Sequence, residues 1–141
     1  MNEYLKELVE NIHTVVLATV DDENHPQTRA IEIMLCNDDK LYFLTATTKP
    51  LYDELVKNPY ISFTGIKGDG VMKSKAISVS GIVRGAGQHL LKEILIKNPY
   101  LEELYPTPEK KEILRVFEMA HGRGQFFDLS VVPPVSVKFE F

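Results

Sequence analysis

TVVLATVDDENHPQTRAIEIML, residues 14–35, decides the fold: an apolar run rich in β-branched residues, a cluster of turn formers, then a run in which residues of two kinds alternate. Residues 14–20 favour an extended backbone because Thr14, Val15, Val16, Thr19 and Val20 pack well on a pleated surface and lose rotamer freedom in a helix. DDENHP, residues 21–26, supplies Asp, Asn and Pro, each suited to a turn. After it, Arg29, Ile31, Ile33 and Leu35 alternate with Thr28, Ala30, Glu32 and Met34, the period-two pattern of a strand. The stretch therefore reads as a β-hairpin. NDD at 37–39 is the next turn, and KLYFLT at 40–45 a third strand, so the expectation is a meander of three sequential antiparallel strands.

Working outward, EYLKELVENI (3–12) places Leu5, Leu8, Val9 and Ile12 at helical spacing, an amphipathic helix ahead of the hairpin. On the other side, PLYDELVKN (50–58) reads as a short helix with proline at its first position, broken by Asn58-Pro59. YISFTGI (60–66) is a fourth strand, KGDG (67–70) a turn, and AISVSGIVRG (76–85) a fifth strand. HLLKEILIKNP (89–99) and TPEKKEILRVFEMAHG (107–122) are expected to be helical, the second with Thr107 as N-cap, Pro108 in its first turn and Gly122 near its C-cap. QFFDLS and VSVKFEF are closing strands. Short antiparallel strands with helices inserted late imply an α+β class: a barrel closed on itself, with helices at its rim. With no repeat, low-complexity tract or linker, residues 1–141 read as one domain.

The composition narrows the partners. A net charge of -4 and a pI near 5.6, with no basic block, argue against nucleic acid or an anionic membrane surface and leave small molecules and protein partners. No segment resembles a signal peptide or a membrane span, so a cytoplasmic location is expected. Cys36 is the only cysteine, which precludes an intrachain disulfide, and no zinc-type ligand cluster is present. Common nucleotide-loop, metalloprotease and serine-hydrolase motifs are absent. His13, His25, His89 and His121 stand far apart, at positions suited to caps and turns. EKKE at 109–112 is a solvated helix face.

LTATTKP, residues 44–50, combines three hydroxyls, a lysine and a helix start, the chemistry of an anion site: hydroxyls donate, the ammonium supplies charge and helix N–H groups point outward. The plainer alternative is that Thr48 caps the helix while Lys49 lies in solvent. Pro50 removes one backbone donor. In a meander the beginning of the Arg29 strand lies beside the end of the next, so Arg29 and Lys49 are expected to meet at one sheet end.

LATVDDENHPQTRAIEIM, followed by KLYFLTATTKPLYDELVKNPYISFTG and AISVSGIVRG, resembles the pyridoxamine 5'-phosphate oxidase-like, FMN-binding split-barrel family over residues 3–130. The resemblance implies a split β-barrel in a homodimer, with FMN in a cleft between the subunits. It implies that Arg29, Ala30 and Ile31 lie along the flavin, that Thr45, Ala46, Thr47, Thr48 and Lys49 hold the ring edge and phosphate, and that residues 71–81 of a partner complete the site. The true pyridoxamine phosphate oxidases carry a lysine five positions after the second-strand arginine, where this chain has Met34, and a C-terminal arginine and histidine that the last strand here lacks. The resemblance thus implies an oxidoreductase acting on some other small molecule, with no identifiable acid or base. A non-catalytic flavin- or haem-binding protein of the same fold is the alternative. Glu32 and Tyr42 are candidate pocket residues, with core or dimer packing as their plainer role.

Overall fold

In a computed structural model, which describes residues 2–141, the chain forms two antiparallel sheets with short helices around them. Helix α1 (Glu3–Glu7) is capped by Asn2, whose side chain accepts from the Tyr4 N–H, and continues into a π-helical turn (Leu8–Ile12) that ends at His13 with φ 63°. Strands β1 (Thr14–Val20) and β2 (Pro26–Glu32) form the hairpin, with Leu17 opposite Arg29 and Val15 opposite Ile31. Then β3 (Leu35–Asn37) pairs with β4 (Lys40–Ala46), α2 spans Pro50–Lys57, and β5 (Tyr60–Gly68) pairs along its whole length with β6 (Ser74–Ile82). A two-residue strand β7 (Arg84–Gly85), helices α3 (His89–Lys97), α4 (Leu101–Leu104) and α5 (Pro108–Glu112), and strands β8 (Leu114–Met119), β9 (Arg123–Asp128) and β10 (Val135–Glu140) complete it. The larger sheet has the order β10-β9-β6-β5-β1-β2 and the smaller β3-β4-β8-β7. They face each other as a split β-barrel, not one continuous ladder.

Two expectations need correction. The meander is broken: residues 26–37 do not form one strand beside β4, because the chain leaves the large sheet at Glu32 and re-enters the small one at Leu35. Ile33 and Met34 at the crossing are buried, and the Ile33 N–H bonds the His13 carbonyl, so the bend serves both sheets. The second correction concerns residues 107–122. Thr107 does cap a helix, accepting from the Lys110 N–H, but that helix stops at Glu112 and Leu114–Met119 is a strand in the middle of the small sheet. The helical periodicity was misleading because β8 is covered on both faces, so its apolar residues do not alternate with polar ones. Gly122 caps no helix. Its N–H and C=O exchange bonds with Phe141, and a Cβ there would meet the Phe141 ring at 2.6 Å.

One apolar cluster fills the barrel: Val15, Leu17, Leu41, Phe43, Ile61, Phe63, Ile77 and Val79 from the strands, closed by Leu5 and Leu8 from the N-terminal helix and Leu51 and Leu55 from α2. The other lies outside the small sheet, where Leu35, Tyr42 and Val116 pack against Ile94 and Leu101 of α3 and α4. Burial of a Leu, Ile or Phe side chain stabilises by roughly 1.5–3 kcal/mol, so the first layer provides the main driving force for holding the two sheets together and the second for docking α3 and α4 on the small sheet. Among the described residues no helix is long and apolar enough to cross a membrane.

Candidate functional site

At one end of the barrel the apolar layers give way to a polar one. Strand parity explains how. Thr19 follows Val15 and Leu17 on the inward face of β1, Arg29 shares its face of β2 with Ile31, and Thr45 follows Leu41 and Phe43 on β4. Helix α2 closes this end with Leu51 and Leu55 inward, and Glu54, three residues after Leu51, falls on the same buried face. The Arg29 guanidinium donates from Nη2 to Glu54 Oε1 at 2.5 Å and from Nη1 to Thr19 Oγ1 at 2.6 Å, and Thr19 donates to the same carboxylate oxygen at 2.6 Å. Two of the five guanidinium donors are used, and they fix the plane of the group.

Beside this triad lies a cleft of about 450 Å³, lined by Gln27, Arg29, Ala30, Ile31, Leu44, Thr45, Lys49, Pro50, Leu51 and Glu54. It is the split in the barrel, between β2, which is an edge strand with one row of backbone groups unpaired by the sheet, and the end of β4. Arg29 and Lys49 do line one cavity, but not through a shared ladder: separate sheets bring them together. Lys49 is extended (φ -95°, ψ 147°), as a residue before proline prefers, and is itself the N-cap of α2 with no side-chain capping bond. Thr48 therefore does not cap the helix. Among the described residues the Lys49 ammonium has no hydrogen-bond or ion-pair partner.

Thr45 is 4% exposed, and its Oγ1 is the one buried side-chain polar atom without a hydrogen-bond partner among the described residues. An unsatisfied buried hydroxyl costs about 1–3 kcal/mol, a cost that a bonded ligand removes. The residues present therefore fit an anionic, hydrogen-bonding group: Thr45 with its orphaned hydroxyl, Lys49 with a free ammonium and Arg29 with an oriented guanidinium line one void. Of the residues expected here, Arg29, Ala30, Ile31, Thr45 and Lys49 line the cleft. Ala46 is buried beyond it, Thr47 uses its N–H on the Ile113 carbonyl, and Thr48 is exposed on the loop.

Glu32 and Tyr42 line no part of this cleft. Glu32 accepts from the Tyr100 hydroxyl, which also lies 3.1 Å from His13 Nε2. Tyr42 is buried and donates to Glu118 Oε2 at 2.9 Å, while Arg84 reaches Glu118 Oε1 from Nε at 2.8 Å and Nη2 at 2.7 Å. Burial, then the Glu118 hydrogen bond and charge, push the Tyr42 phenol up to about 12. Burial opposes ionisation of Glu118, but the bonds from Tyr42 and Arg84 and the Arg84 charge outweigh it and hold the carboxyl below its usual range.

Reading the residues from sequence missed Thr19, Glu54 and Glu118. A carboxylate three residues after Leu51 on an amphipathic helix was a visible signal for Glu54, as was inward parity for Thr19. Glu118 was hidden by the assignment of its segment to a helix.

The class of protein defined so far is a split barrel with a cleft at its seam lined by Arg29, Thr45 and Lys49. The chain belongs to the pyridoxamine 5'-phosphate oxidase family, whose model matches residues 1–126. No curated protein matches the sequence. Among solved structures, a NimC/NimA family protein from Clostridium acetobutylicum superposes with a TM-score of 0.78 at 19% identity, covering 97% of this chain and 91% of that one. A haem-binding protein from Mycobacterium smegmatis gives 0.71 at 12% identity, covering 94% and 55%. A second Clostridium acetobutylicum protein, related to general stress protein 26 of the pyridoxine phosphate oxidase family, gives 0.70 at 19%, covering 97% and 93%.

Proposed function

We propose that the protein binds FMN in the Arg29–Lys49 cleft and acts as an oxidoreductase on a small molecule. The observation that carries this reading is the partnerless Thr45 hydroxyl in a cleft that also holds an unpaired lysine and an arginine locked by Glu54. The void of about 450 Å³ lies within the usual range of ligand pockets, about 300 to 1,000 Å³.

The residues divide the work. Lys49 and the free guanidinium donors of Arg29 neutralise the phosphate, Thr45 gives its hydroxyl, and the open edge of β2 at Ala30 and Ile31 offers backbone groups to a planar ring. Glu54 holds Arg29 in place and leaves the site one net positive charge, so the phosphate meets a cationic site despite the acidic chain. The flavin, when bound, supplies the hydride and electron chemistry. The chain's own part is to bind and orient it.

Haem, the ligand of the Mycobacterium smegmatis neighbour by its description, suits this cleft less well: no histidine lines it, so no imidazole offers an axial bond.

The assembly belongs to the same reading. Val16 and Ile66 are exposed on the large sheet's outer face, among small residues such as Ala18, Thr64 and Ser78, and Val71 and Met72 are exposed on the β5–β6 connection. An apolar, small-residue sheet face of this kind suits a second copy of the chain, which would bring its own residues 71–81 near the site.

Adding FMN to purified protein tests the proposal: saturable quenching of flavin fluorescence is expected, with FAD and riboflavin bound less tightly. Unchanged fluorescence at micromolar protein, or equal affinity for all three, overturns it.

A further inference from the structure

A second cavity, of about 820 Å³, lies away from the Arg29–Lys49 cleft and shares no lining residue with it. It opens where the tail ends of β6 and β8 approach the start of β9 and the end of β10. Close backbone contacts shape it: a Cβ on Gly81 would stand 2.7 Å from the His121 carbonyl oxygen, so only glycine lets β6 pass beneath the β8–β9 connection.

Its polar wall is built around the Glu118 carboxylate, 6% exposed and held by Tyr42 and Arg84. The exposed Arg84 side chain directs Nε and Nη2 to Glu118, which orients its guanidinium, and Nη1 has no partner among the described residues. Lys40, which borders the same cavity, has no ion-pair partner among the described residues. On the opposite wall Arg123 is paired with Glu140 at 3.5 Å. Three cations (Lys40, Arg84, Arg123) against two carboxylates (Glu118, Glu140) leave one net positive charge, which suits an anion. The other wall is apolar: Tyr60 is 57% exposed and Ile82 61%, large side chains directly paired on β5 and β6, with Phe141 beside them.

From this juxtaposition we infer a second small-molecule site, for a planar aromatic carboxylate whose oxygens meet Arg84 Nη1 and Lys40 Nζ and whose ring lies against Tyr60, Ile82 and Phe141. Glu118 acts through Arg84 as a positioning residue. The site stands independently of the FMN reading.

The test uses the full chain, isotope-labelled, titrated with 2-naphthoate and with the neutral 2-naphthamide while backbone amide shifts are followed. Saturable shifts at Gly81, Ile82, Arg84 and Gly122 are expected, with the amide bound about tenfold or more weakly, since a hydrogen bond to a charged group carries that difference. Lys40→Gln should weaken naphthoate about tenfold and leave the amide unchanged. Arg84→Gln should do the same where it folds; because it strips Glu118 of its partner, Lys40→Gln decides the matter. Saturating FMN should not displace the acid. No saturable shift by about 5 mM naphthoate, a range in which even weak sites fill, overturns the inference. So do equal affinities for acid and amide, shifts confined to other surfaces, or an unaltered affinity in Lys40→Gln. None of these outcomes bears on FMN titration, which reads the other cleft.

Discussion

Replacing Thr45 with valine should move folding and ligand binding in opposite directions. Thr45 is buried on the inward face of β4 with its hydroxyl unpaired. Valine has nearly the same shape, is equally β-branched and suits a strand. The change removes an unsatisfied polar atom at little steric cost, so the apo protein should gain about 1–3 kcal/mol, the desolvation penalty of such a group. For a chain of this length that is roughly 3 °C per kcal/mol, an increase in Tm of about 3–9 °C by differential scanning calorimetry. FMN affinity should fall by about ten- to a hundredfold, since a hydrogen bond to a charged phosphate contributes about 1.5–3 kcal/mol. A binding titration supplies the second number, and riboflavin separates phosphate from ring. A lower apo Tm shows that the hydroxyl already has a partner; an unaltered FMN affinity shows that the cleft does not hold the cofactor.

Lys49→Ala should weaken FMN about ten- to a hundredfold, leave riboflavin almost unaffected and shift apo stability by less than about 0.5 kcal/mol, because the side chain is exposed; equal losses for both ligands would make it an ordinary loop lysine. Arg29→Met should cost about 3–5 kcal/mol in urea unfolding by leaving Glu54 buried and uncompensated, and Arg29→Met combined with Glu54→Met should recover most of it; an additive double mutant would show that the two do not interact. Glu118 titrates below its usual 4.5 in the folded state, so its contribution is present above that pH and is lost as the pH falls through the lower folded value; Glu118→Gln should flatten the acid limb of the stability profile, and an unchanged limb refutes it. Tyr42, raised from 10.0 to about 12, carries the opposite sign: its contribution is intact below pH 10 and is lost between about 10 and 12, so Tyr42→Phe should flatten the alkaline limb in the same measurement.

The sequence by itself determined the local elements whose signals are local. Period-two alternation with a turn-forming cluster specified the β1–β2 hairpin, proline at the first position of an amphipathic octamer specified α2, and Thr107-Pro108 specified the start of a helix. It also determined which residue types gather near the seam, because inward parity and turn position are readable one strand at a time. Only the tertiary structure decided where the second strand bends from one sheet into the other, since that depends on Ile33 and Met34 being buried at the crossing and not on their neighbours' propensity. The same holds for Leu114–Met119. In isolation its apolar spacing suits a helix, but pairing Phe43 with Phe117 and Leu41 with Met119 places it in the sheet interior, where packing outweighs propensity. That placement buries the Glu118 carboxylate and pairs it with the exposed Arg84 side chain. Arg29, expected to meet Lys49 at one sheet end, is engaged by Glu54 from an element it does not pair with. Long-range contacts of this kind set the charge and orientation of both cavities, and no window of local sequence contains them.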